Sequence, residues 1–542
     1  MPCAYPRLSH IKDLLTKEMK IGQYLLLLAF LVPVLVLRDF TPNNELKYLS
    51  IADEALRDGH FFTFYNHGEV YADKPPLYFW LLMGSRLLLG EWRMWALALF
   101  SALPALGCVA VMNRWTRPQT DKRGRWGASI MLLSSAMFIG SGIVLRMDML
   151  MCLFILLALR TFYRMHSGEG KRRDGVLLPV WIFLAIFTKG PVGFIAPVLS
   201  IIVFLALRKE WRQMGRYLGW RTWGILVGLC AVWFGCVYAE GGNEYLNNLL
   251  FHQTLDRASD SFHHKEPLWY YCMAYWYSLA PWSILYATVI IIALRKRLLK
   301  TDLEKFFLTV IATVFVVMSL FSAKLDIYLL PIFPFFPYLT AVLLPRMRGN
   351  WVAWTVYAPV VVFIAAPFVL LGMGGVPDMP KSGWVTVAGW VLAAYAAMGL
   401  VRLLRRDLRG GIEWAGLGVL AALCFGGLGM PQINPVIGYG AAAKRAMEIA
   451  AEEGTERYYF YRFRSGENMD AYIGKPLTKL TEPAELRAAH SQGDGLILLK
   501  EKDARRNPEV GEWLRTVPHE QVGNIYLLPA RREAGPQEGQ PL

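Results

Sequence analysis

Charge is scarce in this chain. Of its 542 residues, 18% are Asp, Glu, Lys or Arg and 55% are hydrophobic. A soluble domain carries about 25% charged residues, so an ordinary soluble enzyme is excluded. Cysteine is also sparse: all but Cys3 of the seven lie inside apolar runs, where Cys acts as a small hydrophobe. No disulfide framework or zinc spacing is present. Internal repeats and low-complexity linkers are missing. The charge that exists is lopsided, with 57 Lys and Arg against 42 Asp and Glu. In a soluble chain that excess would point to nucleic acid. Here the bases sit in short loops between apolar runs, as cytoplasmic loops do, and no segment reads as a nucleic-acid binder.

What the chain does have is long apolar sequence. "YLLLLAFLVPVLVL" starts at Tyr24, "ILVGLCAVWFGCVY" at Ile225 and "FFLTVIATVFVVMSLF" at Phe306. A helical span needs about 20 mostly apolar residues, so the pattern predicts a polytopic, all-α membrane protein. The first apolar segment has no small-residue cleavage site behind it and reads as a retained span.

Basic clusters set the sidedness. They lie at the N-terminus and at 114–125, 164–173, 208–221, 295–300, 346–348 and 402–409, and Lys and Arg concentrate on the cytoplasmic side. The chain must leave and return between them. The outer segments are then 38–93, a turn near Asp148, 188–191, 240–267, 322–326, 372–383 and everything after about residue 431. This predicts about thirteen helical spans, the N-terminus cytoplasmic and the C-terminus outside. Residues 38 and 94 fall on one side, so the apolar run 77–89 is expected as a helix in the outer interface, started by Pro75 and Pro76.

The tail has a different texture. Helical patterns such as "YGAAAKRAMEIAAEE" alternate with the strand-like runs "RYYFYRF", "GLILLK" and "NIYLLPA". The expectation is a membrane domain over 1–431, with outer loops 38–93 and 240–267, followed by a small soluble α/β domain over 432–542.

Polar residues at the expected outer face carry the functional reading. Asp53 and Glu54 sit in the helical pattern "LKYLSIADEALRDG", expected to lie on the membrane with its apolar side down. Asp73 and Lys74 precede the two prolines. Asp148 is deep in apolar sequence, where an ionisable residue defaults to function; Arg146 beside it reads equally well as an interface anchor. Lys189 and Lys324 end spans, and snorkelling is the plain explanation for each. Around Lys324, however, Asp326 and Tyr328 follow, and Pro331, Pro334 and Pro337 distort the span. Distorted backbone at membrane depth lines cavities. His263 and His264 are adjacent, so their side chains point apart, a weak metal signal.

The ordered motifs "ADEAL", "DKPPLYFWL", "LRMDMLM", "TKGPVGF", "SFHHKEPLWYY" and "SAKLDIYLLPIFP" together resemble the polytopic glycosyltransferases that use polyprenyl-phosphate sugars. These include protein O-mannosyltransferases and the lipid A aminoarabinose transferase. The resemblance covers roughly residues 20–340. It implies a GT-C-type fold, a polyprenyl-phosphate sugar donor, no nucleotide, and transfer to lipid A, another glycolipid or a protein hydroxyl outside the cytoplasmic (inner) membrane. It implies Asp53 and Asp148 as catalytic carboxylates and Glu54, Lys74, Lys324 and Tyr328 as substrate-binding groups. It also implies a divalent metal on Asp73, His263 and His264, with no other cofactor. Two departures stand out: Leu56 where the family often has Arg in the first motif, and Asp73 where it often has Glu.

The chemistry fits these residue types independently. Breaking a sugar–phosphate bond puts negative charge on the leaving phosphate, which lysines stabilise, and a carboxylate takes the acceptor's proton. The rival from another class is a transporter or flippase of a lipid-linked sugar. It predicts ionisable residues deep in spans and discontinuous helices in paired halves.

Overall fold

The computed structural model describes residues 20–250, 266–347, 351–376 and 379–530. Helices dominate, and among the described residues seven are long and apolar enough to cross a membrane. Four bent helix pairs bring that number to as many as eleven, and Pro76–Leu89 and Val192–Leu207 are shorter apolar helices. The chain is a multi-pass membrane protein.

Local sequence explains several of the breaks. The three prolines after Lys324 yield a short 3-10 helix, Asp326–Ile332, followed by the helix Phe335–Leu343. Proline removes a backbone donor and clashes with the preceding turn, and the axis bends there by 43°. The helix Trp220–Asn247 is interrupted at Gly242, whose φ of 68° is left-handed. Small residues also set the packing of the helices Gly383–Leu404 and Leu408–Gly427. A Cβ on Gly411 would meet Leu403 Cδ2 at 2.4 Å, and one on Gly418 would meet Tyr395 Cβ at 2.8 Å. Helices in lipid gain from such close backbone approach, because there is no hydrophobic drive between them.

The elements of the segment expected outside hold together through buried polar contacts. The run expected at the interface is the helix Pro76–Leu89, with Pro76 at its first position and Gly90 closing it at φ 74°. The helix Lys47–Asp58 differs from expectation. Its apolar face packs on protein, with Tyr48 edge-on to Phe79 at 5.9 Å, because Tyr48, Leu49, Ile51, Ala52 and Ala55 are matched by the buried face of Pro76–Leu89. Glu45, just before it, is fully buried. It takes two hydrogen bonds of 2.6 Å from Arg38 and one of 2.6 Å from the Leu145 backbone N–H.

The C-terminal part is a small α/β unit with a five-stranded sheet. Its strands, numbered after a two-stranded hairpin β1 (Tyr65–Asn66) and β2 (Glu69–Val70) in the outer loop, are β3 (Arg457–Tyr461), β4 (Leu477–Leu480), β5 (Gly495–Lys500), β6 (Glu520–Val522) and β7 (Ile525–Pro529). They run in the order β4-β3-β5-β7-β6. β3 is parallel to β4 and β5, and β7 is antiparallel to β5 and β6. The strand-like runs of the tail are β3, β5 and β7. β4 and β6 carry too little apolar sequence to be read as strands. β5 is central, so both faces are covered and Leu496 through Leu499 form a continuous buried run.

This unit docks on the segment that follows the first helix. Asp39 accepts from the Gly440 N–H at 2.8 Å and from the Tyr472 hydroxyl, while Asn434 bonds the backbone of Leu37 and Asp39. Farther along, Ser50 donates to Asp470 at 3.0 Å, and His67 lies 3.8 Å from the same carboxylate.

Burial pushes the Asp470 carboxyl up to about 6, against the pull of His67 and Ser50. An acid raised on folding binds more protons in the folded state. The cost of ionising it is therefore absent below the unfolded value and grows as pH rises from about 4 to about 6. Asp470→Asn is expected to raise the melting temperature of the detergent-solubilised protein above pH 6 and to leave it nearly unchanged near pH 4. An equal shift at both pH values would contradict this.

Candidate active site

A cavity of about 310 Å³ opens among helix ends at the face expected to lie outside. Asp73, Lys74, Lys189 and Tyr328 supply its polar wall, and Ile186, Ile195, Trp233, Phe234, Met318 and Phe321 supply much of the rest. Two helices begin at it. Pro75 precedes Pro76–Leu89, and Gly190 and Pro191 precede Val192–Leu207. Helix N-termini carry unpaired N–H groups and partial positive charge, so the cavity is electropositive from backbone as well as side chains. Gly190 sits at φ 90°, ψ −143°, a region essentially reserved to glycine, and it turns the chain from one helix into the next at the cavity wall.

Asp148 lies behind this wall. It is 2% exposed and accepts from Lys189 and, at 3.0 Å, from Arg146 Nε. Lys189 is also buried, with its ammonium 5.1 Å from the centre of the Tyr328 ring. Arg146 is held in turn through its backbone, since its N–H donates to Ser101 Oγ at 3.2 Å. Lys74 stands beside Asp73, with its ammonium 3.5 Å from the carboxylate. Lys47 caps the Tyr71 ring at 4.5 Å and feels the charges of Asp73 and Lys74; burial pulls its ammonium below the ordinary lysine range.

The cavity thus brings together Asp73, Lys74 and Tyr328, with Asp148 joined to them through Lys189. Other expected site residues stand elsewhere. Asp53 accepts from Trp92 Nε1 at 2.7 Å and Arg86 Nε at 3.1 Å and does not line the cavity. Burial raises its carboxyl, with Trp92 and Arg86 opposing. The helical period explains the separation. Tyr48 feels the charges of Arg146 and Asp148, and five residues later the helix has turned about 140° from that direction. Glu54 is buried and accepts from the His67 and Gly68 backbone N–H groups at 2.6 and 2.8 Å, which fixes the β1–β2 hairpin. Lys324 donates to the Glu266 carbonyl at 2.8 Å and so anchors the chain returning from the outer loop. His263 and His264 lie outside the described residues.

The metal expectation meets one ligand here. Asp73 already has the Lys74 ammonium beside it, and among the described residues no group of three or more His, Cys, Asp or Glu could hold an ion. Among the described residues the donors do not make a metal site; the other two expected ligands, His263 and His264, lie outside them.

Lys189 is the residue that sequence reasoning passed over. A lone lysine at a span end looks like a snorkelling anchor. The signal was its position opposite Asp148, a lone acid at the same expected depth.

Fold and site together define a polytopic helical membrane protein with an amphipathic cavity among its helix ends. Residues 73–233 match the family model described as dolichyl-phosphate-mannose-protein mannosyltransferase. Over nearly its whole length the chain is similar in fold to ArnT from Cupriavidus metallidurans bound to undecaprenyl phosphate. The TM-score is 0.76 at 17% identity, over 98% of this chain and 100% of that one. The apo form of the same protein gives a TM-score of 0.73 at 18% identity, over 95% and 99% of the two chains. In sequence, the chain is 25% identical over 268 residues to the undecaprenyl phosphate-alpha-4-amino-4-deoxy-L-arabinose arabinosyl transferase of Shewanella sediminis, covering 48% of this chain and 47% of that protein. A protein of the same name from Edwardsiella ictaluri is 23% identical over 317 residues, 57% and 56% of the two chains. An uncharacterized protein of Aquifex aeolicus is 25% identical over 324 residues, 58% of this chain and 63% of its own length. The chain spans about half to just under two thirds of the length of these curated relatives.

Removing the shared anion should be costly. Asp148→Ala leaves Lys189 buried without its carboxylate, and an uncompensated buried charge costs about 3–5 kcal/mol. The variant is expected to melt well below the parent in detergent, and Asp148→Leu combined with Lys189→Met is expected to recover most of the loss. A single variant as stable as the parent would rule out the ion pair as a structural element.

Proposed function

We propose that this protein transfers a sugar from a polyprenyl-phosphate donor to a glycolipid or protein hydroxyl at the outer face of the cytoplasmic membrane. The observation that carries the reading is the cavity in which Lys74 and Lys189 share a wall with Trp233, Phe234, Met318 and Phe321. An isoprenoid phosphate has the same two-part chemistry, an anion on an apolar chain. The solved ArnT complex with undecaprenyl phosphate supports the choice of donor class.

In the reaction, the bond between the sugar's anomeric carbon and the phosphate oxygen breaks, and the electron pair stays with the phosphate. A bond forms between the same carbon and the acceptor oxygen, whose proton goes to a carboxylate. Lys74, Lys189 and the two helix N-termini stabilise the growing phosphate charge. Asp148 holds Lys189 in place; with two cations already on it, its function is positioning. Asp73 and Asp53 are the candidate bases. Asp73 is favoured by its place on the cavity wall, and Asp53 by a carboxyl that burial raises above the ordinary aspartate range.

The test uses purified protein, a polyprenyl-phosphate sugar and lipid A or another glycolipid as acceptor. Product is expected with the parent protein. Lys74→Ala and Lys189→Ala should each lose about 100-fold or more in kcat/KM. The true base should lose activity as its Asn variant while donor binding persists. Movement of intact donor across liposomes without any glycosylated product would overturn the enzymatic reading in favour of a flippase.

A further inference from the structure

The opposite end of the bundle holds a second cavity, of about 380 Å³. The helices Asp148–His166 and Asp174–Lys189 have the outer site at one end, and this cavity at the other borders the connection between them. Sixteen residues of Asp174–Lys189 separate the two by about 24 Å along the axis. Lys171 and Arg172 come from that connection, and Arg216 and Arg221 flank the start of Trp220–Asn247. No acid lines the cavity.

Its floor depends on glycine. A Cβ on Gly175 would meet Arg221 Nη1 at 3.1 Å, and one on Gly219 would meet the Gly215 carbonyl oxygen at 2.0 Å. The close approach leaves the basic side chains as the rim. Among the described residues, none of the four basic side chains is ion-paired with a carboxylate. The nearby Asp174 is taken by Arg164 at 3.1 Å and by the Lys171 backbone N–H at 2.8 Å. Arg216 lies over the Tyr217 ring at 5.8 Å, and Glu169 stands exposed in the same connection.

Depth in the membrane selects among anions. Trp211, Trp220 and Trp223 are exposed around this end, Trp220 by 93%. Exposed tryptophans mark the headgroup level, and the basic loops put this end on the cytoplasmic side. We propose that the cavity binds the phosphate headgroup of an anionic phospholipid of the cytoplasmic leaflet, with Arg216 and Arg221 as its principal contacts. Basic pockets between spans on that side suit such headgroups. The proposal stands apart from the donor site.

The experiment uses the full chain, purified and stripped of lipid. Binding is followed by native mass spectrometry and by melting temperature with added cardiolipin, phosphatidylglycerol, phosphatidylcholine or inorganic phosphate. The anionic lipids are expected to bind and stabilise, while phosphatidylcholine and inorganic phosphate do not. The double variant Arg216→Gln/Arg221→Gln should weaken anionic-lipid binding by about tenfold or more, and Lys171→Gln/Arg172→Gln should act in the same direction. All four positions are exposed, so parent-like elution on a sizing column is expected for both. Equal stabilisation by phosphatidylcholine, full stabilisation by inorganic phosphate alone, or unchanged lipid affinity in both variants would overturn the assignment.

Discussion

One carboxylate organises the candidate site. Asp148 opens its helix in a nearly dry position and is shared by Lys189 and Arg146. Burying charges costs several kcal/mol per ion, which mutual attraction seldom repays with interest. A hydrophobic trio would hold these helices as well. What the trio of charges provides is orientation: Lys189 cannot swing to the interface, because its counter-ion is fixed at a helix start. With Lys74 and Asp73 added, three cations face two carboxylates around the cavity, and the helix N-termini add partial positive charge. The surplus is positive, which suits a phosphate.

The frame of the molecule was readable because lipid permits few solutions. Apolar runs of span length must be helices, and the prolines after Lys324 had to break theirs. The tail's alternating patterns contained three of its five strands. β4 and β6 are short and partly exposed, so their pairing comes from neighbours and leaves little trace in composition.

The site was legible in part. Asp73, Lys74, Asp148 and Tyr328 stood out because each is a polar residue set against apolar sequence; Asp73, Lys74 and Tyr328 line one cavity, and Asp148 reaches it through Lys189. Lys189 looked the same as an anchoring lysine, and only the fold reveals that it meets Asp148. Asp53 and Glu54 illustrate the converse limit. Adjacent acids on a helix differ by about 100° in direction, so a motif gives the turn but not the face. One reaches Arg86 and Trp92, and the other secures a hairpin. Lys324 was found by its distorted surroundings, yet its ammonium secures the returning outer loop. Backbone acceptors are invisible to sequence patterns.

The surrounding loops make the cavity's shape a collective property. Glu240 accepts from the backbone N–H groups of Phe61, Phe62 and Thr63, and a Cβ on Gly241 would meet Thr63 Cγ2 at 2.6 Å. This fastens the outer loop to the helix that supplies Trp233 and Phe234. The same loop is gripped from the other side by the C-terminal unit, through Asp39, Ser50 and Asp470. Lys74 therefore sits on a segment clamped between a membrane helix and the C-terminal five-stranded sheet. A phosphate clamp works only if its cations keep their spacing as charge develops. Lys189 achieves this through a buried ion pair. Lys74, more exposed and on a loop, depends on the two clamps, and the C-terminal unit thereby supports a site it does not line.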